Sequence, residues 1–161
     1  HGENLRDFPA ELEKYKLVVT FNGKCFDIPF INRFFGIKVD KAHIDLRYIM
    51  KSLGFSGGLK RIEKTLGVSR GELEGVDGYT AVLLWREYRK NRNRRALDTL
   101  LAYNIEDVVN LERLMYFAYN EKLKETPFKT EALAFHEKKV DVPFCADAEL
   151  IEAISRRYVW R

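Results

Sequence analysis

Cysteine is scarce in this chain: Cys25 and Cys145 are the only two among 161 residues, far apart and without metal-type spacing. That excludes a disulfide framework and a thiolate metal knuckle, and it reads as reduced thiols in a cytoplasmic protein. No apolar run approaches the roughly 20 residues that cross a bilayer, and no signal peptide is visible, so no membrane partner is expected. Internal repeats and low-complexity blocks are missing too. Excess charge is slight: 28 Lys and Arg against 24 Asp and Glu leave +4, with a pI near 9.0. A mildly basic surface suits a polyanionic partner without requiring one. What is there is 46% hydrophobic and 32% charged, the make-up of an ordinary globular domain with one core.

Leu5, Phe8 and Leu12 fall at helical spacing and predict a short amphipathic helix over 5–15. KLVVTFN, 16–22, is a β-branched and aromatic run closed by Asn22-Gly23, which predicts a buried strand ending in a turn. A helix follows over 26–35, stopped by Gly36. HIDLRYI, 43–49, alternates polar and apolar residues and reads as a second strand. Gly57-Gly58 opens a basic amphipathic helix, LKRIEKTL, ended by Gly67. Further helices are expected over 79–90 and 95–123. Pro127 and Pro143 bracket an irregular tail, and Asp147 caps a final helix to about Tyr158. Alternating helices and strands followed by helices describe an α/β fold with parallel strands. Two strands make a poor sheet, so the pattern looks truncated at its start.

The long helix carries the sharpest chemical clue. Stepping about 100° per residue from Tyr103, Asp107 falls at about 40°, between Leu114 at about 20° and Leu100 at about 60°. Leu111, Leu97, Met115, Val108 and Leu101 extend the same apolar arc. An ionised carboxylate there must be paired or bound to a metal, because burying it bare costs several kcal/mol. Tyr103, one turn earlier, points the same way and can share the site. Two readings stay open: a metal ligand, or an Asp paired with an Arg of a neighbouring helix. A second acid, Asp27, stands just past the carboxyl end of the first strand, where open α/β sheets place their sites. It can equally be a helix cap.

Taken together, FNGKCFDIPF (21–30) resembles the second exonuclease motif of the DEDD superfamily, and YNIED (103–107) resembles its third motif in the tyrosine variant. HIDL (43–46), GLKRIEKTLGVSR (58–70) and LLAYNIEDVVNL resemble the corresponding segments of the YprB-type ribonuclease H-like family. The resemblance covers about residues 5–120, in order and in spacing. It implies a ribonuclease H-like 3′→5′ exonuclease that hydrolyses phosphodiesters of nucleic acid, DNA or RNA, with two Mg²⁺ or Mn²⁺ ions. Asp27 and Asp107 would then be metal ligands, and Tyr103 would orient or help deprotonate the attacking water. Asn22 and Phe26 would line the groove of the terminal nucleotide, unless Phe26 is core.

That family's first motif, Asp-x-Glu on a central strand, is not found upstream of Asp27. The only Asp-x-Glu is Asp147-Ala148-Glu149, with no suitable strand before it. The expectation is therefore an N-terminally incomplete domain over 1–123 lacking the first three strands, with a C-terminal extension over 124–161. Another chain or an N-terminal segment would complete the sheet and the metal site. A module that kept the fold and lost catalysis, binding nucleic acid or serving assembly, is the alternative. Arg92 and Arg94, within the basic run 86–95, are candidate phosphate contacts, or a solvated helix end. His43 and Asp45 share a strand face and read as a structural pair. Phe34, Phe35, Trp85, Tyr88 and Tyr116 read as core.

Overall fold

Among the described residues, strand structure is confined to two four-residue segments, the first, LVVT, rich in β-branched residues. The computed structural model describes residues 5–73, 76–136, 140 and 142–159. A 3-10 turn, Leu5–Asp7, leads into α1 (Phe8–Glu13), followed by β1 (Leu17–Thr20), α2 (Asp27–Phe35), β2 (Ala42–Asp45), α3 (Leu46–Ser52) and α4 (Leu59–Thr65). A second 3-10 turn, Gly71–Leu73, precedes α5 (Gly78–Asn91), α6 (Arg94–Lys124) and α7 (Ala148–Val159). Contacts divide these elements into two units. One holds the described residues up to Ile62 with Arg113–Ala134; the other holds Glu63–Glu112 with the described residues from Phe135 on. Among the described residues no helix is long and apolar enough to cross a membrane.

In the first unit β1 and β2 pair in parallel, with Leu17 opposite Ala42 and Thr20 opposite Asp45. The chain leaves β1 through a tight turn. Asn22 takes a left-handed backbone with φ 68°, a conformation Asn tolerates better than most residues. Gly23 is obligatory beside it, since a Cβ would sit 2.5 Å from the Thr20 side chain. Gly36, also left-handed, ends α2 as expected. The expected strand over 43–49 stops at Asp45 instead. The Asp45 carboxylate accepts the Arg47 N–H at 3.2 Å and starts α3, a capping bond that an alternating pattern does not reveal. Leu46 and Met50, one turn apart, are then both buried, in the phase of a helix. Phe35 stacks on Phe8 at 5.1 Å, but Phe34 is exposed. Its expected place in the core is corrected: no residue of α2 is fully buried, and among the described residues Phe34 stacks on Phe30 and meets Phe35 edge-on, both on its own helix.

The second unit has the larger core. Leu73, Val76, Leu83, Leu84, Ala96, Ala102, Ile151 and Ile154 form one buried cluster, with Tyr88, Leu100, Tyr103, Val142 and Phe144 packed against it. Each fully buried Leu or Ile contributes about 1.5–3 kcal/mol, so α7 is a core element of this unit and not a loose tail. Its start is fixed as expected, the Asp147 carboxylate accepting the Leu150 N–H at 2.9 Å. Asp77 caps α5 in the same way, accepting from the Thr80 N–H at 2.7 Å and its hydroxyl at 2.9 Å. The buried line of α6 within this unit runs through Ala96, Thr99, Ala102 and Asn110. That line is rotated from the apolar arc expected for the helix, and Val108 is 62% exposed. Thr99 can lie on this line because its hydroxyl donates to the Arg95 carbonyl at 2.8 Å, so a polar residue is buried at little cost.

Candidate functional site

At the carboxyl end of the sheet, Asp45 is the organising residue. Its carboxylate accepts the backbone N–H of Asn22 at 2.7 Å, of Lys24 at 2.9 Å and of Arg47 at 3.2 Å. It is buried, and its charge is met by peptide dipoles rather than by a cation. His43 does a separate job, sharing a 2.8 Å hydrogen bond with Thr20. The structural pair expected of His43 and Asp45 is thus replaced by two independent braces of one turn. Arg47 in its turn donates to the Asn22 side-chain oxygen.

Asp27 begins α2 from an exposed position. The N-cap of that helix is Phe26, and no side chain caps it, so Asp27 is not the capping residue. Its carboxylate has neither an ion pair nor a hydrogen bond with any described residue. Charge in the first turn is mildly favoured by the helix dipole; no other structural task is visible for it. Phe26 is 72% exposed, which removes the core reading of that residue. The Cys25 thiol, close by, shares a 3.1 Å hydrogen bond with Tyr48, raising the tyrosine hydroxyl's pKa.

Asp107 lies in the second unit and has quite different surroundings. Arg70 donates to it through Nη1 and bonds Glu63 through Nε at 2.5 Å. The arginine side chain is 5% exposed, Glu63 1% and Asp107 26%. One guanidinium therefore serves two carboxylates, and it also lies 5.9 Å from the centre of the Tyr103 ring, within cation–π range. Asp107 is thus paired with an arginine, one that stands in the turn after α4 rather than on a neighbouring helix. Tyr103 is brought to the same place: burial pushes its hydroxyl pKa well up, and the Asp107 charge and hydrogen bond add to the rise. Its hydroxyl is hydrogen-bonded to the Asp107 carboxylate. Burial also raises Glu63, against the opposing pull of Arg70 and of Asn110.

Glu63 and Arg70 escaped the sequence reading, although the signal for one was present. Glu63 falls four residues after Leu59 and three before Leu66, on the apolar stripe of α4, the same anomaly that singled out Asp107. Arg70 follows Gly67 in a turn and carries no periodicity to betray it. Among the expected phosphate contacts, Arg92 is exposed and ends α5 in a left-handed conformation. Arg94 is exposed at the start of α6, with Asp98 at 3.9 Å. Asp147, of the only Asp-x-Glu, is engaged by Arg95. That hydrogen bond, followed by the one from Leu150, lowers its pKa.

Carboxylate oxygens are the hard donors that Mg²⁺ and Mn²⁺ prefer. Asp27 offers such a donor unencumbered, whereas Asp107 shares its charge with Arg70. Among the described residues no three His, Cys, Asp or Glu side chains form a group able to hold a metal ion. Donor type fits a divalent cation; among the described residues donor number falls short of a two-metal centre.

Residues 2–119, well over half of the chain, match a family described as RNase_H superfamily. No curated protein and no solved structure matches the chain.

Proposed function

We propose that this chain, which belongs to the ribonuclease H superfamily, serves metal-dependent phosphodiester hydrolysis of nucleic acid as a 3′→5′ exonuclease of the YprB type, in the tyrosine variant of the DEDD group. The observation that carries the proposal is Asp27, an exposed carboxylate near the carboxyl end of a parallel sheet with no partner among the described residues. Free acids at that edge suit metal and phosphate chemistry. Divalent cations, when bound, lower the pKa of water and neutralise charge on the leaving oxygen. The chain's own contribution is narrower: Asp27 and Asp107 supply hard ligands, and Tyr103 orients or helps deprotonate the attacking water. Asn22 and Phe26 line the nucleotide groove, and Arg92 and Arg94 contact phosphates. The exonuclease domain spans 1–123 in this reading, with 124–161 as its extension, and further acidic ligands are needed to complete the centre.

The alternative, a module that binds nucleic acid without cleaving it, is favoured by one observation: Arg70 already neutralises Asp107. A single assay separates the two. Single-stranded DNA and RNA labelled at either end are incubated with Mg²⁺ or Mn²⁺ and the chain together with the segment or partner that supplies those further acids, and products are resolved by length. The exonuclease reading expects nucleotides released stepwise from the 3′ end, and their loss in Asp107→Ala and Asp27→Asn. Binding that weakens with salt, with no metal-dependent turnover and no bound divalent ion, would establish the non-catalytic module instead.

A further inference from the structure

The first unit holds a cleft that the two acids do not account for. Its volume is about 630 Å³, and it is lined by Phe21, Asn22, Arg47, Lys51, Phe55 and the 56–59 turn, with Ile62 at one side. That size lies in the range of small-ligand pockets. Phe21-Asn22 follows β1 directly and Arg47 comes two residues after the end of β2, so the cleft opens where both strands end.

Its chemistry divides into two parts. Arg47 and Lys51 are four residues apart on α3 and so share a face. Both are exposed, and neither has a carboxylate partner among the described residues. The Ser56 hydroxyl stands beside a glycine pair. Gly57 has φ 101°, and a Cβ there would meet the Arg61 side chain at 2.7 Å; a Cβ on Gly58 would meet nothing within 4 Å. The backbone N–H groups of Ser56, Gly57 and Gly58 have no acceptor among the described residues. Two cations, a hydroxyl and unclaimed peptide donors make a site for an anion with several oxygens. The remaining wall is apolar: Phe21, Leu59, Ile62 and Phe55, the last held edge-on against Phe117 at 5.5 Å.

We infer that this cleft binds one nucleotide of a single-stranded nucleic acid, its phosphate against Arg47, Lys51 and the Ser56–Gly58 turn and its base against Phe21 and Phe55. The assignment rests on the nucleic-acid reading above and adds the place where the strand is held. A single strand is required because a base engages an apolar wall only when it is unpaired and unstacked. The cations that matter here are Arg47 and Lys51, which the basic run over 86–95 would not have suggested.

The test is fluorescence anisotropy of labelled oligothymidine and oligouridine with the chain in EDTA, so that cleavage plays no part. Arg47→Ala with Lys51→Ala is expected to weaken binding on the order of tenfold or more, and to reduce the salt slope by about 1.4. Lys51→Arg should retain affinity, and circular dichroism checks that the double variant is folded. An oligonucleotide with an abasic centre should bind about tenfold more weakly than its intact counterpart. Unchanged affinity and salt slope in the folded double variant would overturn the assignment. So would full displacement by millimolar inorganic phosphate, which would show a simple anion site. Failure of the hydrolysis proposal looks different: binding follows the pattern above while no metal ion supports cleavage. Cleavage that is indifferent to Arg47 and Lys51 would sink the cleft and leave the nuclease standing.

Discussion

Asp45 and Asp107 are both sheltered carboxylates, but the chain neutralises them by opposite means. Around Asp45 the positive ends of three peptide dipoles converge. Around Asp107 a buried arginine does the work, shared with Glu63. Peptide donors are part of the backbone and are fixed once the turn forms. A guanidinium is a separate side chain whose desolvation must be offset by both of its partners. In the first unit the side-chain cations Arg47 and Lys51 therefore remain available for an outside anion. In the second, Arg70 is committed. A turn that solves its internal charge with backbone leaves the neighbouring cations for ligands; one that solves it with a side chain commits that cation.

The contrast can be broken most severely at Arg70. Arg70→Met leaves Glu63 and Asp107 without their cation, and denaturant unfolding should show a loss of about 3–5 kcal/mol. The loss should depend on pH. Burial already raises Glu63 above its ordinary value of 4.5, and removing Arg70 raises it further. A group raised in the folded state contributes stability that is full below its unfolded pKa and is lost as pH rises through its folded pKa. The deficit of the variant should accordingly be smallest in acid and largest near neutrality. A pH-independent deficit would argue that Arg70 contributes packing rather than charge.

A smaller effect is expected at Asp45. Asp45→Ala strips the acceptor from the N–H groups of Asn22, Lys24 and Arg47, which should cost about 1–3 kcal/mol. Amide exchange at those positions should accelerate, and oligonucleotide binding should weaken with the loosened turn. Protected amides in the variant would show that the backbone holds its shape without the carboxylate.

The smallest change should come from Asp27. With only the dipole of α2 to lose, Asp27→Asn should shift stability by less than about 1 kcal/mol, measured by thermal unfolding. The proposed hydrolysis nevertheless requires the charge, so activity and stability should part company at this residue. A large destabilisation would assign Asp27 a structural task and weaken the case for it as a ligand.

Local chemistry was readable from the chain alone. Gly36 ending α2, Asn22-Gly23 turning after β1 and Asp147 capping α7 are short-range events, settled by backbone freedom and by side chains within a few residues. So was the anomaly of Asp107, because a helix repeats regularly enough to expose a charge among apolar neighbours. The partner of that charge was not readable. Arg70 reaches Asp107 across 37 residues of sequence, and only the fold of the second unit brings the two together. The same holds for the end of β2, where Asp45 ends the strand by binding a turn 21 to 23 residues before it, and for the cleft, whose walls come from separate segments. Periodicity records what a residue does to its neighbours along the chain; what it meets in space is decided by packing.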